Sequence, residues 1–311
     1  MRFKQSIPLA ALIFALVLHP LILAIKERVP TIKINAWYLD DGTLVGKVDE
    51  LQQVVDILVQ GGPVRGLVLS TAATVAASER PKTTVWSPAA TGGEGDPLAK
   101  GLERIREEGV TLLGSPVGSQ EFMTREVEKK VEKVEEITGL LPLLQDGHTE
   151  FALLRSCLSL PKVSFILRAT DTSEMREQLR RFDLVTREAL TRILGAPVGD
   201  QAWQQAKLPT TLGGMGLRAA EDHAPVAYAA SVFDSHQLSQ ALLGVSLVPP
   251  VDGEEVEDGP HAVLPPQALD ALAATLGEEV TEEELMGMRQ KQLSSKVDLH
   301  LHRGLLESFD H

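Results

Sequence analysis

Two adjacent aspartates, Asp40 and Asp41, followed by Gly42, are the residues best placed in this sequence to do chemistry. Thr31, Ile32, Ile34 and Trp37 lead into them and Thr43, Leu44 and Val45 lead out. Asp-Gly between such β-prone runs predicts a hairpin with its tight turn at Asp40-Asp41-Gly42. Neighbouring carboxylates repel unless a cation stands beside them. Their oxygens suit magnesium, which keeps several waters and is commonly shared with substrate phosphates, so the pair points to phosphoryl transfer. Asp-Asp-Gly is also ordinary turn chemistry, and the tripeptide alone does not choose between the two.

The elements around the hairpin read as α/β. Val48, Leu51, Val54, Val55 and Leu58 recur at helical spacing, with Gly61-Gly62 as the C-cap. Strand-like pieces follow at Gly66 to Ser70, Thr83 to Trp86 and Val110 to Leu113, with a Gly- and Pro-bearing loop from Ser87 to Pro97. After Gly118 the chain turns mainly helical. Phe122, Val127, Val131, Val134 and Ile137 form one stripe ending at Gly139. Met175, Leu179, Phe182, Leu190 and Ile193 form another over Ser173 to Leu194, with Arg176, Arg180, Arg181, Arg187 and Arg192 on the outer face. Those arginines suit either a phosphate backbone or plain solvent. Pro209 to Gly216 is a turn-rich break.

The N-terminal run from Ile7 to Ile25 carries no Asp, Glu, Lys or Arg and follows Arg2 and Lys4. Its length suits a membrane span, whereas Pro8, Pro20 and His19 suit a buried core helix. No small-residue cleavage signature precedes Lys26.

Net charge is −13, yet 4 basic and 14 acidic residues fall in 251–311, so the rest of the chain is close to neutral. The acidic runs, Glu254, Glu255, Glu257 and Asp258, then Glu282, Glu283 and Glu284, read as solvated surface or linker. The single cysteine, Cys157, excludes an intramolecular disulfide and fits a reduced intracellular setting. Lying among Phe151, Leu153, Leu154 and Leu158, it is expected to be a buried structural thiol.

Tyr38-Leu39-Asp40-Asp41 resembles the YxDD box of reverse transcriptases, in the Trp-Tyr-Leu-Asp-Asp-Gly version of mobile-element polymerases such as non-LTR retrotransposons. Other segments fall in the same family order. Gln5-Ser6-Ile7-Pro8-Leu9 with Leu12 and Phe14 resembles the QGxPLGxLLF box before the hairpin, and Gly66 to Ser70 with Lys82 and Trp86 the GLxLN…K…W segment after it. Leu113-Gly114-Ser115-Pro116-Val117-Gly118 resembles the LGxxxG segment. Leu160-Pro161-Lys162, Leu167-Arg168, Leu208-Pro209 and Gly213-Gly214-Met215-Gly216-Leu217-Arg218 resemble thumb-side sequence. Coverage runs over roughly residues 1–235.

The resemblance implies a partial polymerase palm over 1–118, a helical thumb-like region over 119–235 and an acidic, Pro-containing C-terminal segment over 236–311. It makes Asp40 the metal-bridging carboxylate and Asp41 its weaker neighbour, holding magnesium or manganese. Tyr38 supports the template–primer side, Gln5 seats the incoming nucleotide, and Lys82 faces the pyrophosphate leaving group. Lys162, Arg176, Arg180 and Arg187 would contact nucleic acid, the partners being an RNA template and a DNA primer, with no membrane. The setting would be nuclear or cytoplasmic. The family holds its ions with a further aspartate on the strand before the Gln-Gly-x-Pro box, and Met1 stands four residues before Gln5. Ser6 and Ala10 also replace family glycines. The expectation is a reverse transcriptase fragment, inactive alone for want of that aspartate and the fingers. The competing readings are a single-pass membrane-anchored protein using residues 7–25 and a helical protein-binding module.

Overall fold

The computed structural model describes residues 9–70, 83–86, 102–105, 108–243, 264–279, 281, 284–285 and 288–309. It divides into two compact units, Met1–Leu113 with Leu238–Ser246, and Gly114–Gln237 with Leu247–His311. The fold is mixed α and β and predominantly helical.

The first unit is built on helix α1 (Ala10–Arg28), which the apolar run forms. Leu18, Leu21 and Ile25 recur on one face and are buried with Val54, Ile57 and Leu58 of α2 (Val48–Gly61). Ile32, Trp37 and Leu44 around a β-hairpin close the same cluster. The run therefore packs on the hairpin and the following helix through a single stripe, while Leu12, Leu16 and Leu23 remain exposed. By length and composition α1 also meets the requirement for crossing a membrane.

The hairpin pairs β1 (Ile34–Tyr38) with β2 (Asp41–Val45) in antiparallel register. Helix α2 starts with a capping box, the Glu50 carboxylate accepting the Lys47 N–H at 2.8 Å. Its C-cap, Gly62, keeps right-handed geometry, and the left-handed residue is Gly66, after a tight turn over Pro63–Arg65. Gly66 to Ser70, expected as a strand, lies outside every strand described; the Ser70 carbonyl accepts the Thr83 N–H at 2.9 Å. Strand β3 (Thr84–Trp86) pairs in parallel with β4 (Glu103–Ile105), a piece the sequence did not announce. β5 (Gly109–Leu112) closes this part of the chain.

The second unit opens with β6 (Ser115–Gly118) and α3 (Gln120–Gly139), whose first turn is capped by Ser119 accepting the Phe122 N–H at 3.2 Å. A short helix α4 (Gly147–Leu153) runs into a π-turn over Leu154–Leu158, followed by α5 (Leu160–Ala169), α6 (Arg176–Leu194), α7 (Asp200–Lys207) and α8 (Ala220–Leu243). The expected stripes hold: Val127, Val131 and Val134 of α3 meet Val163, Ile166 and Leu167 of α5 and Leu179 and Phe182 of α6. Helix α8 has only Ala219 before it and so no capping side chain of its own. The cap is supplied by α6, where the Asp183 carboxylate accepts the N–H groups of Ala220 at 2.6 Å and Glu221 at 3.0 Å.

The C-terminal segment also contributes to the core: α9 (Pro266–Leu276) and α10 (Gln290–Glu307) pack with α8. Leu272, Leu276, Leu293 and Val297 pack on Val226, Ala229 and Ala230. Glu254, Glu255, Glu257, Asp258, Glu282 and Glu283 lie outside the described residues. Cys157 is exposed, not buried. The wider π-turn keeps Leu154 and Leu158 inside and carries Cys157 off their face.

Candidate active site

The hairpin places the two aspartates differently from the sequence expectation. Tyr38 pairs with Asp41 and Trp37 with Gly42, so the turn is Leu39-Asp40, two residues nearer the N-terminus than an Asp-Gly turn would be. Leu39 takes the left-handed conformation, with φ 56°, a place where a Cβ is usually disfavoured. Gly42 is retained for a different reason. A methyl group there would fall 2.5 Å from Cζ3 of Trp37, whose ring lies across the glycine. The same ring donates its Nε1–H to Asn35 Oδ1 at 2.7 Å. Trp37 thus braces both strands just below the tip.

At the tip Tyr38, Asp40 and Asp41 are all exposed. Beneath it, hydrogen bonds from the Lys47 backbone and Thr31 hold the Glu50 carboxyl below its ordinary value, so Glu50 is committed to capping α2. Among the described residues no group of three or more His, Cys, Asp or Glu side chains converges. Two exposed carboxylates suit the face of a hydrated magnesium but fall short of the ligand set that fixes two ions for an in-line displacement. Gln5 and Lys82 lie outside the described residues.

Lys162, Arg176, Arg180 and Arg187 belong to the second unit and differ in how they are engaged. Arg187 is held inside the fold by two hydrogen bonds to the Val198 carbonyl, at 3.0 and 2.7 Å, and by Asp200 at 2.8 Å. Arg180, exposed, shares its single Nε–H between the two carboxylate oxygens of half-buried Glu221, at 3.0 and 3.1 Å. Exposed pairs of this kind are worth about 0.2–1 kcal/mol and exchange readily for another anion. Lys162 is exposed on the first turn of α5 and Arg176 begins α6.

Sequence reasoning missed a buried polar cluster in the second unit. Arg218 Nη2 donates to Asp298 Oδ2, and the other carboxylate oxygen stands 3.4 Å from His223 Nε2. His223 and Asp298 are each 3% exposed. Burial raises the Asp298 carboxyl, but the adjacent His223 and the hydrogen bond from Arg218 outweigh it and leave the group below its ordinary value. Asp183 is the opposite case: burial dominates the two backbone N–H donors at α8 and pushes its pKa up to about 7. No local motif announces these pairings, since Arg218 and Asp298 are 80 residues apart.

No family model matches the chain, and no solved structure matches it. The chain is similar to the retrotransposable element SLACS 132 kDa protein of Trypanosoma brucei gambiense, with 24% identity over 216 residues, 69% of this chain. That match spans 17% of the length of the trypanosome protein. The similarity relates the chain to a protein of a mobile element.

Proposed function

We propose that this chain is a reverse-transcriptase-related part of a mobile-element protein, with Asp40 and Asp41 as one half of a two-metal nucleotidyl-transfer site. The observation that carries the reading is the hairpin: adjacent exposed carboxylates at the tip of a two-strand ribbon braced by Trp37 and seated on α1 and α2. The similarity to a retrotransposable element protein supports it from a separate direction. Magnesium, or manganese, bound there would neutralise charge on the attacking and departing oxygens of an RNA-templated extension of a DNA primer. The chain's own contribution is to present Asp40 and Asp41 on a rigid support. The hairpin supplies ligands from one side only, so a carboxylate from another segment must complete the site before the in-line geometry is fixed. By itself the chain is inactive. On this reading α1 is a core helix of the polymerase and no membrane is involved.

Titration of the chain with Mn²⁺, followed by electron paramagnetic resonance, tests the metal assignment. Weak binding that Asp40→Asn and Asp41→Asn both reduce is expected. Binding indifferent to both substitutions would defeat it.

A further inference from the structure

In the second unit a groove of about 700 Å³ opens between the π-turn, the start of α5 and the segment Gly216–Arg218. Its charge runs against that of the whole chain. The nine lining residues include two guanidiniums, Arg155 and Arg218, and no carboxylate, in a sequence with 43 acidic and 30 basic residues. Three serines also line it, but their hydroxyls are committed to the backbone. Ser156 donates to the Ala152 carbonyl, Ser159 to Arg155 at 3.0 Å and Ser164 to Pro161 at 3.0 Å. Recognition of charge therefore falls to the arginines.

The two arginines stand in contrasting states. Arg155 forms no ion pair among the described residues. Its guanidinium rests against Gly216, where φ is 74° and a methyl group would come 3.0 Å from Nε. Arg218 has a carboxylate partner, and that partner is Asp298 of the C-terminal helix α10. A buried acid on a helix from the far end of the chain thus occupies the guanidinium that would otherwise face the groove with Arg155. Guanidinium forks match the paired oxygens of a carboxylate and of a phosphate alike, so the two compete for the same donors.

We infer that this groove takes a phosphodiester and that α10 gates it, Asp298 holding Arg218 in the phosphate's place. The anion chemistry stands on the groove itself; a polynucleotide as its source rests on the function proposed above. Withdrawing Asp298 adds one phosphate contact to the one Arg155 offers. For a single strand each added contact steepens the dependence of log affinity on log salt by about 0.7.

The test uses the full chain in native form and as Asp298→Asn, Arg155→Ala and Arg155→Lys. Anisotropy of a short fluorescent oligoribonucleotide is read between about 50 and about 200 mM NaCl, with inorganic phosphate as competitor. Asp298→Asn should tighten binding roughly threefold at the lowest salt and steepen the slope. Arg155→Ala should weaken binding by a similar factor, and Arg155→Lys should restore part of the loss. Hydrogen exchange reports whether α10 stays docked, and undocking also frees Arg218, so the gain is required either way. An unchanged affinity in Asp298→Asn overturns the gate, and an unchanged affinity in Arg155→Ala overturns the groove. Tightening seen for inorganic phosphate but not for the oligonucleotide overturns the polynucleotide source. The Mn²⁺ titration reads the hairpin of the first unit and this assay reads a groove of the second, so failure here leaves the metal-site reading standing, and failure of the Mn²⁺ titration leaves the groove standing.

Discussion

The indole ring of Trp37 lies across the α-carbon of Gly42, directly opposite in the hairpin register, so close that no Cβ fits between them. This pair, not an Asp-Gly turn, sets the shape of the ribbon that presents Asp40. Gly42→Ala must displace the ring and break its hydrogen bond to Asn35. A cost of about 1–3 kcal/mol is expected for such overpacking, with a red shift in Trp37 emission as the ring becomes exposed. Urea denaturation measures the first and fluorescence of a protein with Trp37 as its sole tryptophan the second. A Gly42→Ala protein with native stability and emission would show that the ring is not wedged against the backbone.

Asp183 gives the second unit an unusual dependence on pH. Its pKa of about 7 in the fold exceeds the ordinary value of 3.8, so the folded state binds this proton more tightly than the unfolded chain does. The sign follows: the contribution is fully present below about pH 4 and is lost as pH rises through 7, at about 1.4 kcal/mol per pH unit in between. Asp183→Asn resembles the protonated acid. It should match the native protein only below about pH 4 and become progressively the more stable of the two as pH rises towards 7, read from thermal midpoints. A native advantage that grows with pH would mean that the Ala220 and Glu221 N–H groups hold the carboxylate ionised.

The C-terminal helices act as part of the core rather than as a detachable acidic tail. Truncation before Gln290 removes Leu293 and Val297, each fully buried against the α8 cluster. Losing each such side chain costs about 1.5–3 kcal/mol. The truncated chain should unfold at lower urea and bind a hydrophobic dye. Unaltered midpoint and dye binding would show that α10 contributes nothing to the fold. Charge effects of this segment are therefore better probed by single substitutions such as Asp298→Asn than by deletion.

The α3 and α6 stripes were legible because their apolar residues recur at helical spacing over 15 residues or more, from Phe122 to Ile137 and from Met175 to Ile193. The hairpin was legible too, but its turn was displaced by two residues: Asp41-Gly42 has turn propensity, and the packing of Trp37 on Gly42 overrides it. Leu272, Leu276, Leu293 and Val297 escaped notice because acidic and proline residues dominate the composition around them. Cys157 was misplaced because its burial was argued from its apolar neighbours in sequence, whereas the π-turn buries Leu154 and Leu158 and leaves Cys157 exposed between them. The candidate aspartates were visible as a motif. The Arg218–Asp298–His223 cluster was not, since nothing local requires residues so far apart to meet.

Primer extension on an RNA template with magnesium or manganese tests the central claim most directly. The assay compares this chain alone with the chain supplemented by the part of the trypanosome protein that lies outside the matched region, each in native and Asp40→Asn form. Synthesis at background for the chain alone, synthesis in the supplemented reaction and its loss in Asp40→Asn by several orders of magnitude are expected. Robust synthesis by the chain alone would contradict the one-sided ligand set. Supplemented synthesis indifferent to Asp40→Asn would contradict the assignment of the hairpin as the metal-binding half of the site.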